Sequence, residues 1–134
     1  LSLSLEDLLS LADELRQKMP SAHVEFIHRL PLFYETDEHI FVHAGTTNEP
    51  WEDQRQTLSD KNKSWEEGPL QLFSLQLSRS VAHNIAKTVV SGHDINVVPK
   101  IYPRRIMLHC GVEIGGPLVV WVSDLNRYYQ VTLN

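Results

Sequence analysis

Lys87-Thr-Val-Val-Ser-Gly-His-Asp94 decides the reading of this chain. Thr88, Val89 and Val90 form a short β-branched run bounded by turn residues, which predicts a buried strand. The strand stops in Ser91-Gly92-His93-Asp94. His39-Ile-Phe-Val-His-Ala-Gly45 repeats the arrangement, with Ile40-Phe41-Val42 running into His43. In open α/β sheets, ligands gather beyond the carboxyl ends of strands. A glycine nearby lets the backbone turn sharply or approach another group closely. His43 and His93 are therefore the leading site residues. Spacing alone leaves two readings open. A lone histidine at a strand end usually caps the strand or faces water, whereas two at equivalent ends can share a metal ion, for which imidazole is the commonest ligand.

The pattern extends outward in both directions. Leu32-Phe33-Tyr34 predicts a strand pairing with His39–Val42 through the polar turn Glu35–Glu38. Ahead of it, Ser4 and Asp7 have capping-box spacing, and Leu5, Leu8, Ala12, Leu15 and Met19 fall on one helix face until Pro20. Ser21 reads as the cap of a second helix, with Val24 and Ile27 inward until Pro31. Residues 46 to 69 read as a long polar loop with room for one helical turn. From Pro69 to Ala86 a helical stripe returns at Leu70, Phe73, Leu77 and Val81. Ile106–Leu108, Leu118–Val122 and Tyr128–Leu133 predict three further strands, joined by Gly115-Gly116-Pro117 and Asp124-Leu125-Asn126 into a carboxyl-terminal antiparallel meander. The expected class is α/β (α+β), as one domain over residues 1–134.

Composition narrows the function. The 134 residues are 42% hydrophobic and 22% charged, with net charge −5, ordinary values for a globular domain. No apolar run reaches the ~20 residues of a membrane helix, so no membrane partner is expected. Arg104-Arg105 is the only basic doublet, which disfavours a nucleic acid polymer. The single cysteine, Cys110, forbids an internal disulfide, speaks against a closed structural zinc site and fits a cytoplasmic protein. Leu1–Leu9 has no basic flank, so it does not read as a signal peptide. The first residue is Leu rather than Met, which raises the expectation of a longer natural chain.

The other histidines rank lower. His23 and His28 read as helix surface, His39 as an exposed strand start, and His83 as lying off the helical stripe. His109 ends another strand and can reach the same cleft, although a hydrogen-bonded structural role is preferred. Cys110 beside it invites a cysteine-hydrolase reading, but neighbours on a strand point to opposite faces. Gly115-Gly116 lacks the longer pattern of a nucleotide-binding loop and reads as a turn.

Several of these phrases, taken in order, resemble calcineurin-like metallophosphoesterases of the bacterial serine/threonine protein phosphatase and symmetrical dinucleoside tetraphosphatase type. They are His23–Thr36, His39–Gly45, Lys87–Asp94, Arg105–Gly111 with Gly115–Leu118, and Tyr129–Val131, and the match they mark runs over residues 20 to 50 and 84 to 131, well over half the chain. The resemblance implies part of a β-sandwich flanked by helices, corresponding to the carboxyl-terminal half of the domain. It implies a metal-dependent phosphoester hydrolase in which the counterparts of His43 and His93 hold two divalent metals, manganese, iron or zinc. Asp94 then reads either as a residue that orients a ligand or as a turn residue, with the turn preferred, and His109 as a candidate supporting residue. The substrate would be a phosphoprotein or a nucleotide phosphoester.

The departures from the family are specific. Its first half supplies an Asp-x-His pair, a Gly-Asp-x-x-Asp-Arg-Gly loop and an Asn-His pair, and this chain has no counterpart of that half. The catalytic proton donor and the remaining ligands are therefore expected upstream, and the chain alone is expected to be inactive, with an exposed sheet face prone to self-association. Where the family commonly has Trp-x-Arg-x-x-Phe, this chain has Trp65-Glu66-Glu67, and glutamate repels phosphate. Where it has Asp-Thr-Gly, this chain has His109-Cys110-Gly111. A non-catalytic relative that uses the fold as a binding module is the alternative. A third reading is an unrelated α/β domain whose histidines cap strands.

Overall fold

The computed structural model describes residues 4–60, 68–81 and 84–132, and its fold is mixed α/β. Two units are distinguished, Leu1–Pro31 and Leu32–Asn134. The first holds α1 (Leu5–Lys18) and α2 (Ser21–Arg29). The capping box forms as its spacing predicts: Ser4 Oγ accepts from the Asp7 amide at 3.1 Å, and the Asp7 carboxylate accepts from the Ser4 amide at 2.9 Å. These bonds hold the Asp7 carboxyl below its ordinary pKa. Ser21 is not the second cap. Pro20 takes that position, and its carbonyl accepts from the amides of His23 and Val24. Neither helix buries a residue, and Ile27 is 55% exposed rather than inward. Two short helices alone cannot enclose a core.

In the second unit β1 (Phe33–Glu35) and β2 (His39–Val42) make the expected hairpin. Its turn is tied by the Thr36 amide on the His39 carbonyl and the His39 amide on Thr36 Oγ1. The chain then crosses over through α3 (Trp51–Ser59) and α4 (Leu75–Arg79) to β3 (Thr88–Ser91), which lies parallel to β2. After β4 (Lys100–Tyr102), β5 (Arg105–Met107) joins parallel to β3. The resulting sheet has the order β1-β2-β3-β5-β4. Strand alternation places Ile40, Val42 and Val89 on one face, where Leu58 of α3 and Ile85 complete the core and Phe33, Trp51 and Leu72 pack beside it.

Three expectations need correction, and one strand was not foreseen. The polar segment after Gly45 contains a nine-residue helix, α3. Its buried Gln54 satisfies the preceding loop by bonding Thr47 and Glu49, so the polar residues that suggested a loop are helical ones serving that loop. The helix expected over 69–86 is instead a single 3₁₀ turn, Leu70–Leu72, followed by α4. Ser74 interrupts it by capping Leu77, and the buried residues are Gln71 and Ser78, while Leu70 and Phe73 are about half exposed. The meander reduces to a hairpin of β6 (Leu118–Val122) and β7 (Arg127–Val131), because β5 belongs to the large sheet. Strand β4, between Pro99 and Pro103, carried too short a pattern to be read.

Trp121 of β6 meets His39 with ring centroids 5.0 Å apart, so His39 is half-buried rather than exposed. Gly116 is a turn residue as read, and a Cβ there would sit 1.8 Å from the Cys110 carbonyl oxygen. No helix among the described residues is long and apolar enough to cross a membrane.

Two substitutions test this packing. Ile40→Ala, at a fully enclosed position, should lower unfolding free energy by about 2–5 kcal/mol. Gly45→Ala places a Cβ 2.5 Å from the Leu77 carbonyl oxygen and should cost about 1–3 kcal/mol by forcing backbone apart. Urea unfolding measures both, and unchanged midpoints would contradict the packing described.

Candidate metal centre

Because β2, β3 and β5 run parallel, their carboxyl ends finish side by side. The pairing continues beyond the strands: the Gly92 amide donates to the His43 carbonyl at 3.0 Å and the Leu108 amide to the Ser91 carbonyl at 2.9 Å. His43, His93 and His109 thus arrive at one edge, as the sequence expectation for His43 and His93 required.

The partners of the rings fix their tautomers. His93 Nε2 lies 2.9 Å from the Phe73 carbonyl oxygen, which can only accept, so Nε2 carries the proton. In the neutral ring Nδ1 then holds the lone pair. That Nδ1 is 3.1 Å from His43 Nε2, so His43 donates through Nε2–H. Partial burial lowers the His43 pKa, and neighbouring His93 and His109 lower it further. His43 is therefore held in the neutral form that metal ligation needs.

His93 adopts φ +65, a left-handed conformation uncommon for a residue with a side chain. Gly92 was the expected point of backbone freedom, but a Cβ there would meet nothing closer than 3.7 Å. The unusual backbone is carried by the candidate ligand itself. His109 Nδ1 donates to the His93 carbonyl at 3.1 Å, and its Nε2 lies 3.0 Å from Glu113 Oε2. Glu113 raises the His109 pKa, and the protonated ring satisfies both acceptors at once. With both nitrogens engaged, His109 steadies the backbone of His93 and leaves ligand contact to the other two rings.

Asp94 turns away from the pair. Its carboxylate takes a bidentate bond from Arg79, at 2.8 and 2.9 Å, which holds its pKa below the ordinary value. Its amide closes a turn on the Gly92 carbonyl. An open cleft of about 330 Å³ adjoins the histidines, walled by Leu108, Cys110, Val112, Pro117 and Leu118. Cys110 lines it together with His109, contrary to the opposite-face expectation, because β5 ends at Met107 before either residue. Burial raises the Cys110 thiol pKa, so it is a poor nucleophile.

The donor set fits half of a metal site. Two nitrogens each ~2.0–2.1 Å from one ion can be no more than about 4.2 Å apart, and the observed 3.1 Å lies within that limit. The Phe73 carbonyl orients one ring in the way outer partners orient metal-binding histidines. Among the described residues no group of three or more His, Cys, Asp or Glu is placed to hold a metal. The chain's one Asp-x-His spacing, Asp37-Glu38-His39, opens β2 and so lies at the other end of that strand from His43. His23 and His28 lie in the first unit, exposed on α2. His83 and the Trp65-Glu66-Glu67 phrase fall outside the described residues. Phe73 was read only as part of a helical stripe, and neither it nor Arg79 or Glu113 was read as a site residue from the sequence. Only Glu113, four residues beyond His109, carried a spacing that could have shown it.

Glu113→Gln removes the carboxylate that raises the His109 pKa. In a proton NMR titration of the ring signals, the His109 transition should move to lower pH, and an unmoved transition would contradict the pairing. No protein-family model matches the chain, and no curated protein matches it.

Proposed function

We propose that this chain supplies two imidazole ligands to a metal-dependent phosphoester hydrolase of the metallophosphatase kind. The reading is carried by one observation: His43 Nε2 and His93 Nδ1 stand 3.1 Å apart at the ends of parallel strands, with the far nitrogen of His93 committed to a backbone carbonyl. When bound, divalent manganese, iron or zinc supplies Lewis acidity toward phosphoryl oxygens and a water acidic enough to attack at neutral pH. His43 and His93 bind, the Phe73 carbonyl sets the His93 tautomer, and His109 holds the His93 backbone. The cleft beyond them offers a largely apolar wall beside the reacting group.

Two imidazoles do not complete a catalytic site, so the carboxylate ligands and the proton donor come from residues outside those described. The substrate class is a phosphoprotein or nucleotide phosphoester, and the single free thiol favours the cytoplasm. Leu118, Val120, Tyr129 and Val131 of the β6–β7 hairpin are each more than half exposed, which favours self-association of the isolated chain. A second reading, a non-catalytic relative that uses the fold as a binding module, is favoured by His109, whose nitrogens are both occupied where the family carries an aspartate.

Calorimetric titration of manganese and of zinc into the chain tests the pair. Binding is expected in the parent protein, with a loss of about tenfold or more in both His43→Ala and His93→Ala. Because the His43 pKa is lowered, protons should displace metal from that ring only below the ordinary imidazole range, near ~6.5. Equal affinity in parent and variants, or no binding by the parent, would sink the reading. Hydrolysis of a phosphomonoester by the chain alone is not expected, and turnover lost in both variants would exclude the non-catalytic reading.

A further inference from the structure

Arg105 is the largest side chain fully enclosed among the described residues, with 1% exposure. Nη2 donates to the carbonyls of Ala44 at 2.9 Å, Ser78 at 3.0 Å and, more weakly, Leu77 at 3.5 Å. Nε and Nη1 have no partner among the described residues. Burial lowers the guanidinium pKa to about 10. A buried cation with unmet donors is a poor device for stability, since an apolar residue of similar size usually serves as well or better. The groups it holds are therefore informative.

Ala44 comes directly after His43. Its amide and that of Gly45 donate to the Gln71 carbonyl, at 2.8 and 3.2 Å, so Arg105 and Gln71 grip the turn after His43 from two sides. Two residues past Gln71, the Phe73 carbonyl holds the His93 ring. Leu77 and Ser78, which Arg105 also reaches, lie near the end of α4, which begins two residues beyond Phe73. Gly45 approaches so closely that a Cβ there would stand 2.5 Å from the Leu77 oxygen and 3.3 Å from Arg105 Nη2. One guanidinium thus links the turn that aims His43 to the segment that aims His93.

We propose that Arg105 is a positioning residue that sets the His43 ring against His93 by gripping the Ala44 carbonyl and the end of α4; its metal readout rests on the half-site reading. The test uses Arg105→Met and Arg105→Lys in the full chain, with circular dichroism for folding, zinc calorimetry for affinity and ¹⁵N NMR of the imidazoles for the tautomers. Parent protein should give fixed tautomers for both rings. Arg105→Met should keep its secondary structure, lose about 10–100-fold in zinc affinity and average the His43 tautomer signals. Arg105→Lys, which retains a cationic donor, should restore most of both.

A folded Arg105→Met variant with parental affinity and parental imidazole signals would overturn the proposal. So would equal losses in both variants tracked by an equal fall in melting temperature, which would make Arg105 a general strut. If Arg105→Met does not fold, the Lys variant decides: fixed tautomers support the role, and failure of both variants to fold overturns it. If the parent protein binds no zinc, the half-site reading has failed, and the tautomer signals alone still decide the role of Arg105.

Discussion

Parallel pairing of β2, β3 and β5 is the constraint on which the rest depends. Parallel strands start and finish in the same sense, so the residues just past their carboxyl ends collect at one edge. Register then decides which side chains meet. Ile40 pairs with Val89 and Val89 with Arg105, which keeps Ile40, Val42 and Val89 on the face covered by Leu58 and Ile85. A slip of one residue would turn that apolar set outward. It would also separate the Gly92 amide from the His43 carbonyl and with it the two rings. The core therefore specifies the site indirectly, by fixing the register that aligns the strand ends.

Beyond the strands, positioning passes to polar groups inside the protein. Gln54 bonds Thr47, Glu49 and Gln71, and Gln71 in turn holds the turn after His43. Leaving such a buried group unpaired costs roughly 1–3 kcal/mol, so the network is sensitive to loss of any member. It holds a stretch where an apolar core could not act, because the backbone between His43 and Glu49 is irregular and its amides need partners. The short turn and helix of residues 70–79 serve the same end. They supply carbonyls to the site and bury Gln71 and Ser78, leaving their apolar residues partly exposed.

Strands β2 and β3 were legible in the sequence because each is a compact run rich in β-branched residues that stops at a histidine or a glycine. His43 and His93 could be named for the same reason. The parts that escaped are held by side-chain chemistry rather than by period. The stripe Leu70, Phe73, Leu77, Val81 has helical spacing, but Ser74 caps the chain midway and divides it. The segment after Gly45 looked like a loop because the residue that anchors α3 to it is a glutamine. Arg105 was read as half of a basic doublet and as the start of a strand phrase, and neither reading shows that it is buried while Arg104 is exposed. The bidentate Arg79–Asp94 pair joins residues fifteen apart that only the fold brings together.

The two rings of the pair are held unequally, and that inequality has a chemical meaning. His93 is committed: Nε2–H is spent on the Phe73 carbonyl, so Nδ1 presents its lone pair. His43 makes no other side-chain hydrogen bond among the described residues, and its Nε2–H is given to His93. To act as a ligand through Nε2 it must shift that proton to Nδ1, which faces no competing partner. With a cation bound, one N–H···N bond would give way to two nitrogen–cation bonds without a change in net protonation, and the lowered His43 pKa favours the neutral ring that such binding would need. Without a cation the bond to His93 therefore fixes the His43 tautomer, as the Phe73 carbonyl fixes that of His93.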